Sequence, residues 1–293
     1  MKKEKQKWKE SYHFISNFLM YIKEWKPDRE TKNYPILALH GSRMQSGMWN
    51  TTAEKLKNWH FICPDQRGYG LSDAGSPRHP VTSKSFSKDA LNLANKLKLD
   101  RFALFGHSFG AAHVLHLASL IPERISCVVL VDVPSRPIEI RAKGLKENYS
   151  QPTTFKNLES AVEYFSKSEN GEWPIKESKQ FVKNLLLYND LKGPCRMPFD
   201  KNWFSKLRTF QASTKSDYDP FPIAPSIQSP VLILRGGKTR RNTPEEVRRL
   251  KELLPKGSII KTLSKSGHFP MVAELGKYEK TLRDFLKNMH SKN

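Results

Sequence analysis

The chain has 293 residues, of which 38% are hydrophobic and 27% are charged, a globular composition that excludes an intrinsically disordered protein. No run reaches the roughly 18 apolar residues of a membrane helix, and the basic N-terminus lacks an apolar signal-peptide core, so we expect a cytoplasmic protein. The formal net charge is +21, but the lysines are scattered among acidic residues without a basic stripe interleaved with aromatics, so no nucleic-acid partner is predicted.

Residues 1–133 alternate between strand-like apolar runs and helical stretches. This pattern predicts a mostly parallel sheet covered by helices on both faces. Two short strands that meet near Asn17 predict an opening hairpin. In chain order, further strands are predicted at YPILALHG, HFICPD, RFALFG and SCVVLVDV, and helices at KSFSKDALNLANKLKL and AAHVLHLASLI. Cys63 and Cys127 lie inside the apolar runs and are expected to be buried thiols, and no spacing typical of metal ligands occurs.

Residues 134–225 show no buried-strand pattern, and their periodicity is helical in NLESAVEYF and KESKQFVKNLLLY. Prolines cluster at the downstream edge, as in a linker that returns to the core. We therefore predict a helical cap over 134–225, inserted between two strands of the core. The core resumes over 226–293 with strands PVLILRGG and SIIKTL, a helix that begins at Pro244, and a closing amphipathic helix, MVAELGKYEKTLRDFLKNM.

The pentapeptide GHSFG lies between a predicted strand and a predicted helix, where a sharp turn lifts the hydroxyl of Ser108 above the sheet. This context predicts that Ser108 is a catalytic nucleophile. The backbone N–H of Phe109, at the start of the helix, can bind a developing oxyanion. A second donor is predicted at the N–H of Ser42, which follows the pair His-Gly at the end of an earlier strand.

His268 lies in the loop SGHFP, between the last predicted strand and the last helix. A histidine at the carboxyl edge of a parallel sheet can reach the nucleophile, so His268 is predicted to be the general base. The other histidines lack this placement. We expect His107 to point away from the reacting centre, and His113 and His116 to pack or to face solvent.

The motifs HGS, DQRGYGLSD, GHSFG and SGHFP occur in the order and spacing of the α/β-hydrolase superfamily, and the chain resembles the small esterases of that superfamily that carry a helical cap. The resemblance implies an eight-stranded sheet, a Ser–His–acid triad and no cofactor. In most relatives the acid follows the penultimate strand, but Thr239 occupies that position here. A threonine cannot supply the negative charge that stabilises an imidazolium.

Asp132 is the predicted replacement for the missing acid, because it ends the strand after the nucleophile. The resemblance supports this choice, since some acyl esterases and a lactone-hydrolysing group of the superfamily carry their acid there. The alternative is that Asp132 only caps the turn before Pro134. Glu245 and Glu246 are the other candidates, although both lie at the start of a predicted helix.

These residues predict a serine hydrolase that cleaves a small-molecule carboxylic ester or lactone through an acyl-enzyme. A thioesterase, a C–C bond hydrolase or a non-catalytic ligand-binding member remain alternatives. Haloalkane dehalogenases and epoxide hydrolases carry an aspartate at the nucleophile position, which argues against those activities. Substrate contacts are predicted at Arg43, Met48, Trp49, Trp173 and Trp203.

Overall fold

The computed structural model describes residues 8–27, 29, 31–76, 78–135, 152–168, 173–188, 193–211 and 217–290. Its strands are β1 (Lys9–Ile15), β2 (Phe18–Trp25), β3 (Ile36–Leu39), β4 (Phe61–Pro64), β5 (Phe102–His107), β6 (Ile125–Val131), β7 (Thr154–Phe155), β8 (Leu187–Tyr188), β9 (Cys195–Arg196), β10 (Val231–Gly236) and β11 (Ile259–Leu263). Short 3₁₀ segments span Ser46–Trp49, Pro122–Arg124 and Ala224–Ser226.

The described α-helices are α1 (Asn50–Lys55), α2 (Ser83–Lys96), α3 (Phe109–Leu120), α4 (Leu158–Ser168), α5 (Ile175–Leu185), α6 (Lys201–Gln211), α7 (Pro244–Glu252), α8 (Pro270–Ala273) and α9 (Leu275–His290). Two of these helices begin with a side-chain capping interaction. Thr82 accepts a hydrogen bond from Ser85 N at the start of α2, and a capping box opens α7 just before Pro244. Among the described helices, none has the length and apolar character needed to cross a membrane.

Eight strands form one sheet in the order β1-β2-β4-β3-β5-β6-β10-β11. The pairs from β4 to β11 are parallel, whereas β1, β2 and β4 pair in antiparallel fashion. Every residue of β3, β5 and β10 is buried, as expected for parallel strands covered on both faces. The predicted eight-stranded, mostly parallel sheet with an opening hairpin is therefore confirmed.

The sheet separates two hydrophobic cores, because successive side chains of a strand point to opposite faces. In β3, Ile36 and Ala38 belong to one core, and Leu37 and Leu39 to the other. Apolar residues of α1 and α9 pack in the first core, and those of α3 and α7 in the second. The predicted helices on both faces are confirmed, and the carboxyl ends of the parallel strands share one edge of the sheet.

Helices α4, α5 and α6 lie in the chain between β6 and β10, where the periodicity predicts helices. The segment also contains strands that its helical periodicity does not predict, since β7, β9 and β8 form a second, antiparallel sheet of three strands. Each of these strands has 2 residues, too few to show a periodicity of two. The predicted cap also contains residues 136–151, 169–172, 189–192 and 212–216, which lie outside the described residues, as does the basic segment 1–7.

The closing segment is predicted as one helix, but the structure divides it into α8 and α9 at Glu274. Glu274 has φ −135° and ψ 52°, outside the helical region. Its Oε2 accepts hydrogen bonds from the backbone N–H of Lys265 (2.8 Å) and from both N and Oγ of Ser266 (3.1 and 3.0 Å). The carboxylate thus ties the helix break to the loop that precedes His268.

Candidate active site

The turn at Ser108 joins β5 to α3 in a conformation that side chains rarely adopt, with φ 49° and ψ −114°. The two flanking glycines make this turn possible. A Cβ at Gly106 would lie 2.6 Å from the carbonyl oxygen of Gly110, and a Cβ at Gly110 would meet the carbonyl oxygen of Leu39. The backbone N–H of Ser108 donates to Val131 O at 2.9 Å. The strained turn is therefore held between two strand ends, with the hydroxyl at the carboxyl edge of the sheet.

The loop after β3 packs directly against this turn. A Cβ at Gly41 would lie 2.5 Å from His107 Nδ1 and 3.4 Å from Ser108 Cβ, so only glycine allows so close an approach. Ser42 follows in this loop, and Phe109 is the first residue of α3. The structure thus brings the two predicted oxyanion donors to the same side of the sheet as Ser108, at a helix N-terminus that favours negative charge.

A buried histidine network fixes the loop after β3. His40 Nδ1–H donates to Gly41 O at 2.8 Å, and His40 Nε2 accepts from the N–H of Gln66 at 2.9 Å. The side-chain oxygen of Gln66 in turn accepts from His113 Nδ1 at 2.6 Å. Burial lowers the pKa of His40 to about 4 and that of His113 well below its ordinary value. Both rings are neutral near pH 7, which keeps their donor and acceptor atoms as the loop requires.

Asp132 and His268 form a short, buried contact: Nδ1 of His268 donates to Oδ2 of Asp132 at 2.6 Å. Asp132 directly follows β6 with φ 49°, and its N–H donates to Leu234 O at 2.8 Å. A proton on Nδ1 leaves Nε2 of the neutral imidazole as the proton acceptor. The predicted base and the predicted acid therefore lie together, with the base in the tautomer that a serine hydrolase requires.

The carboxylate of Asp132 accepts further hydrogen bonds from the loop after β10. Thr239 Oγ1 donates to Oδ2 at 2.6 Å, the N–H of Gly236 donates to Oδ1 at 3.2 Å, and Asn242 Nδ2 lies 3.4 Å from Oδ1. Burial opposes ionisation of this carboxyl, but the contacts from His268, Thr239 and Gly236 outweigh it and lower its pKa. Asp132 is therefore a charged acid at neutral pH.

The other two candidate acids are placed differently. Glu246 Oε2 accepts from the N–H of Thr243 at 2.7 Å, while the N–H of Glu246 donates to Thr243 Oγ1 at 3.1 Å. This reciprocal pair is a capping box at the start of α7. Glu245 is exposed on the same helix turn. The structure thus gives both glutamates positions at a helix start, and it brings Asp132 rather than either of them to His268.

A family model for the alpha/beta hydrolase fold matches residues 34–168. A serine hydrolase-like protein of Danio rerio is 33% identical over 99 residues, which cover 33% of this chain and only 30% of that protein. The 2-hydroxy-6-oxo-2,4-heptadienoate hydrolase of Pseudomonas putida is 24% identical, over 86% of this chain and 88% of that protein. In three dimensions, E-2-(acetamidomethylene)succinate hydrolase matches 96% of this chain and 99% of its own with a TM-score of 0.79 and 19% identity.

The chain has the α/β-hydrolase fold. The matched family segment contains the strained turn at Ser108 and the end of β6, but it stops before the loop of His268. The loop of His268 lies within the part of the chain that the structural neighbour matches, because that match covers 96% of this chain.

The structure places His107 differently from the sequence-based expectation. Its ring does not point away from the base: the centroids of His107 and His268 are 4.6 Å apart. Its Nε2–H donates to the carbonyl oxygen of His268 at 2.9 Å. Burial, together with the neighbouring His268, lowers the pKa of His107 to about 3. His107 is thus a neutral contact between the turn at Ser108 and the loop of His268.

Among the described residues, no hydrogen bond of 3.5 Å or less joins Ser108 Oγ to His268 Nε2. The two residues are nevertheless adjacent in space, since His107, next to Ser108 in the chain, contacts the ring and the backbone of His268. In hydrolases this contact is often long before substrate binds and shortens in the complex. The structure therefore shows the contact between His268 and Asp132 formed, with the turn of Ser108 next to the loop of His268.

Two of the predicted substrate contacts lie in the hydrophobic core. Met48 and Trp49 are each at most 1% exposed. The ring of Trp49 lies 6.2 Å from that of Phe61 and 6.4 Å from that of Phe105, which belong to strands of the central sheet. Met48 and Trp49 are therefore buried packing residues, and their contact with a substrate stays a prediction.

The other three predicted contacts lie closer to the second, smaller sheet and its helices. Trp173 is half-buried, and its ring centroid lies 5.5 Å from that of Phe269, next to the base. Trp203 is buried so closely against Gly68 that a Cβ there would overlap its indole. Arg43 has φ 66°, and its guanidinium donates to Pro152 O at 3.0 Å. Of these three residues, Trp173 is the one whose ring contacts Phe269, in the loop of His268.

Sequence reasoning missed Tyr69, in the motif DQRGYGLSD. Its hydroxyl lies 3.4 Å from Ser42 Oγ, and burial raises its pKa. Tyr69 also forms an isolated antiparallel bridge with Phe199. The glycines around it in the sequence signal a tight loop, but nothing local indicates that this loop reaches Ser42, which lies after a different strand.

Proposed function

We propose that this chain is a serine hydrolase that cleaves a carboxylic ester or lactone, with Ser108 as nucleophile, His268 as general base and Asp132 as acid. The observation that carries the proposal is the buried 2.6 Å contact between His268 Nδ1 and Asp132 Oδ2 beside the strained turn at Ser108. A neutral histidine with its Nδ1 proton directed at a carboxylate is the arrangement that activates a serine hydroxyl.

The reaction follows from the atoms in place. Nε2 of His268 takes the hydroxyl proton of Ser108 as Oγ attacks the acyl carbonyl, and the N–H groups of Ser42 and Phe109 stabilise the oxyanion. His268 then passes that proton to the leaving alcohol oxygen, and an acyl-enzyme remains. Water attacks the acyl-enzyme with His268 again as base, which releases the carboxylic acid and restores Ser108. Asp132 stays ionised throughout and stabilises the imidazolium.

Two features support serine chemistry over the other chemistries of the superfamily. Residue 108 is a serine, whereas haloalkane dehalogenases and epoxide hydrolases are expected to carry an aspartate there. A relative in Danio rerio is named a serine hydrolase-like protein. Both features favour a nucleophilic hydroxyl and an acyl-enzyme.

The test is covalent labelling with a fluorophosphonate probe, followed by assays with p-nitrophenyl esters and lactones. We expect the wild type to be labelled at Ser108. Ser108→Ala should lose the label and as much as roughly 10⁶-fold in kcat, because the triad acts as a unit. The matched control is Ser166→Ala, a half-buried position on α4 whose hydroxyl bonds to the backbone of its own helix, which should behave as wild type.

Two outcomes would contradict the proposal. Persistent labelling and turnover in Ser108→Ala would remove this serine as the nucleophile. A folded wild type that is neither labelled nor active on any ester or lactone would favour a non-catalytic ligand-binding protein.

A second candidate follows from the relative in Pseudomonas putida, which is named a 2-hydroxy-6-oxo-2,4-heptadienoate hydrolase and aligns with 86% of this chain. We propose it as an alternative substrate type for the same triad. Addition of this dienoate to the substrate panel separates the two candidates. Turnover of the dienoate well above that of every ester and lactone would favour the second.

A further inference from the structure

The side chain of Thr239 occupies the loop position where most relatives are expected to carry the acid, and it contacts the acid that this chain uses instead. The residue is buried, and its Oγ1 lies 2.6 Å from Asp132 Oδ2. The N–H of Arg241 donates to the same Oγ1 at 3.1 Å. Because a backbone N–H can only donate, Oγ1 accepts there, and its single proton is left for Asp132. The direction of the Thr239–Asp132 hydrogen bond is thereby determined.

Asp132 Oδ2 is shared between two donors, Thr239 Oγ1 and His268 Nδ1, each at 2.6 Å. Its other oxygen faces the N–H of Gly236 and the side-chain amide of Asn242. The amide of Asn242 is itself oriented, since its oxygen accepts from Arg235 Nε at 2.9 Å and its nitrogen donates to Val133 O at 2.9 Å. The carboxylate is therefore held on both oxygens by donors whose own directions are determined.

The contact with His268 depends on the rotation of the Asp132 carboxyl group about its last side-chain bond, a torsion that is intrinsically soft. The main chain of Asp132 does not itself fix this torsion, and the two contacts that reach Oδ1, from Gly236 N and Asn242 Nδ2, are long at 3.2 and 3.4 Å. Apart from His268 itself, Thr239 is the only described residue whose side chain donates to Asp132 Oδ2, at 2.6 Å. Loss of that hydroxyl removes the donor that keeps Oδ2 in line with Nδ1.

We propose that Thr239 is a positioning residue that holds Asp132 Oδ2 against His268 Nδ1, so that the loop after β10 orients the acid in place of supplying it. The inference rests on the proposed triad. In this arrangement the uncharged hydroxyl of Thr239 orients the carboxylate of Asp132, and that carboxylate orients the imidazole of His268.

The test compares three variants. Thr239→Val removes the hydroxyl at nearly constant volume, Thr239→Ser keeps a hydroxyl, and Thr262→Val makes the same chemical change at an exposed position of β11. We expect Thr239→Val to lower kcat by about tenfold or more with KM nearly unchanged, as for loss of a hydrogen bond to a charged group. Thr239→Ser should recover most of the rate, and Thr262→Val should match wild type.

A second readout does not require turnover. The proton between His268 Nδ1 and Asp132 is expected to give a far-downfield proton resonance in the wild type, assigned by its loss in Asp132→Asn. We expect the resonance to move or broaden in Thr239→Val and to persist in Thr239→Ser. If the valine variant fails to fold, Thr239→Ala provides the same test with less bulk.

The outcomes separate this inference from the proposed function. Absence of labelling and turnover in the wild type would overturn the hydrolase proposal, whereas the resonance would still report on the positioning role. An unchanged resonance and a kcat within about twofold of wild type in Thr239→Val would overturn the positioning role even if the enzyme is an active hydrolase. Equal losses in the valine and serine variants would also overturn it, because the hydroxyl would then not be the cause.

Discussion

At the scale of single residues, the short contact of Asp132 with His268 makes a direct prediction. Asp132→Asn should leave the fold intact and reduce kcat by about 10⁴-fold, because an amide group favours the wrong imidazole tautomer. Ester hydrolysis by the purified variant, with its melting curve alongside, measures this effect. Glu245→Gln and Glu246→Gln are the controls and should be nearly silent, since Gln also fits a capping box.

The same residues allow a rescue experiment. Asp132→Asn combined with Thr239→Asp moves the negative charge to the neighbouring loop, whose residue 239 already lies 2.6 Å from the acid. Activity of the double variant above that of Asp132→Asn is the expected result. A severe loss in Glu245→Gln or Glu246→Gln, with Asp132→Asn silent, would instead show that the loop region supplies the acid.

The residues of the candidate site differ in how far local sequence could predict them. The positions of Ser108 and His268 could be predicted because both lie in short motifs next to strand ends, and that of Asp132 because it follows β6 directly, whereas their roles stay predictions. The hydrogen bond from Thr239 to Asp132 could not, since it joins residues 107 positions apart. The contacts of Tyr69 with Ser42 and of His107 with His268 are equally non-local. Charge and reactivity are local properties, whereas their orientation depends on packing.

At the scale of elements, the strands of the main sheet could be predicted because each is a continuous apolar run. The strands β7, β8 and β9 could not, because a two-residue strand has no periodicity. The break between α8 and α9 depends on hydrogen bonds from Glu274 to the loop before His268, contacts that an amphipathic pattern does not show. The boundaries of the cap at 134 and 225 remain predictions.

Helices α4 to α6 are expected to govern specificity rather than chemistry, and Trp173 tests this. Its ring packs against Phe181 and Phe269, and its Nε1–H is buried with no hydrogen-bond partner in the described part of the chain. We expect Trp173→Ala to change the ranking of ester chain lengths while fluorophosphonate labelling of Ser108 persists. Trp203→Ala, at a fully packed position, should instead lower stability by about 3–5 kcal/mol. An unchanged ranking across a broad ester panel would remove Trp173 from the pocket.

At the scale of the whole molecule, three buried neutral histidines make stability depend on pH. Burial lowers the pKa of His40 to about 4 and that of His107 to about 3, and it lowers the pKa of His113 well below 6.5. Unfolding exposes these rings, which then bind protons below about pH 6.5. Stability should therefore fall as pH decreases from about 6.5 towards about 4, by about 1.4 kcal/mol per pH unit for each proton taken up.

Buried carboxyls whose pKa is raised work in the opposite direction, and Asp65 and Asp89 are two of them. Burial raises the pKa of Asp65 to about 6, so the folded state binds a proton there before the unfolded state does, which offsets about one histidine. Urea unfolding at about pH 7 and about pH 5 measures the balance. We expect the free energy of unfolding to be lower at the acidic pH, with a smaller difference in His113→Gln. Equal stability at both values would contradict the neutral, buried state of these rings.

The backbone at Ser108 sets a limit on how stable an active form of this protein can be. Its φ of 49° and ψ of −114° are natural for glycine and strained for any residue with a Cβ. Ser108→Gly should therefore melt above Ser108→Ala, by about 1 kcal/mol in free energy, although both variants lack the hydroxyl. Equal melting temperatures would show that the surrounding contacts absorb the strain entirely. If the difference is found, selection for thermal stability alone would replace Ser108 by glycine, and only selection for the proposed hydrolase activity would retain the serine.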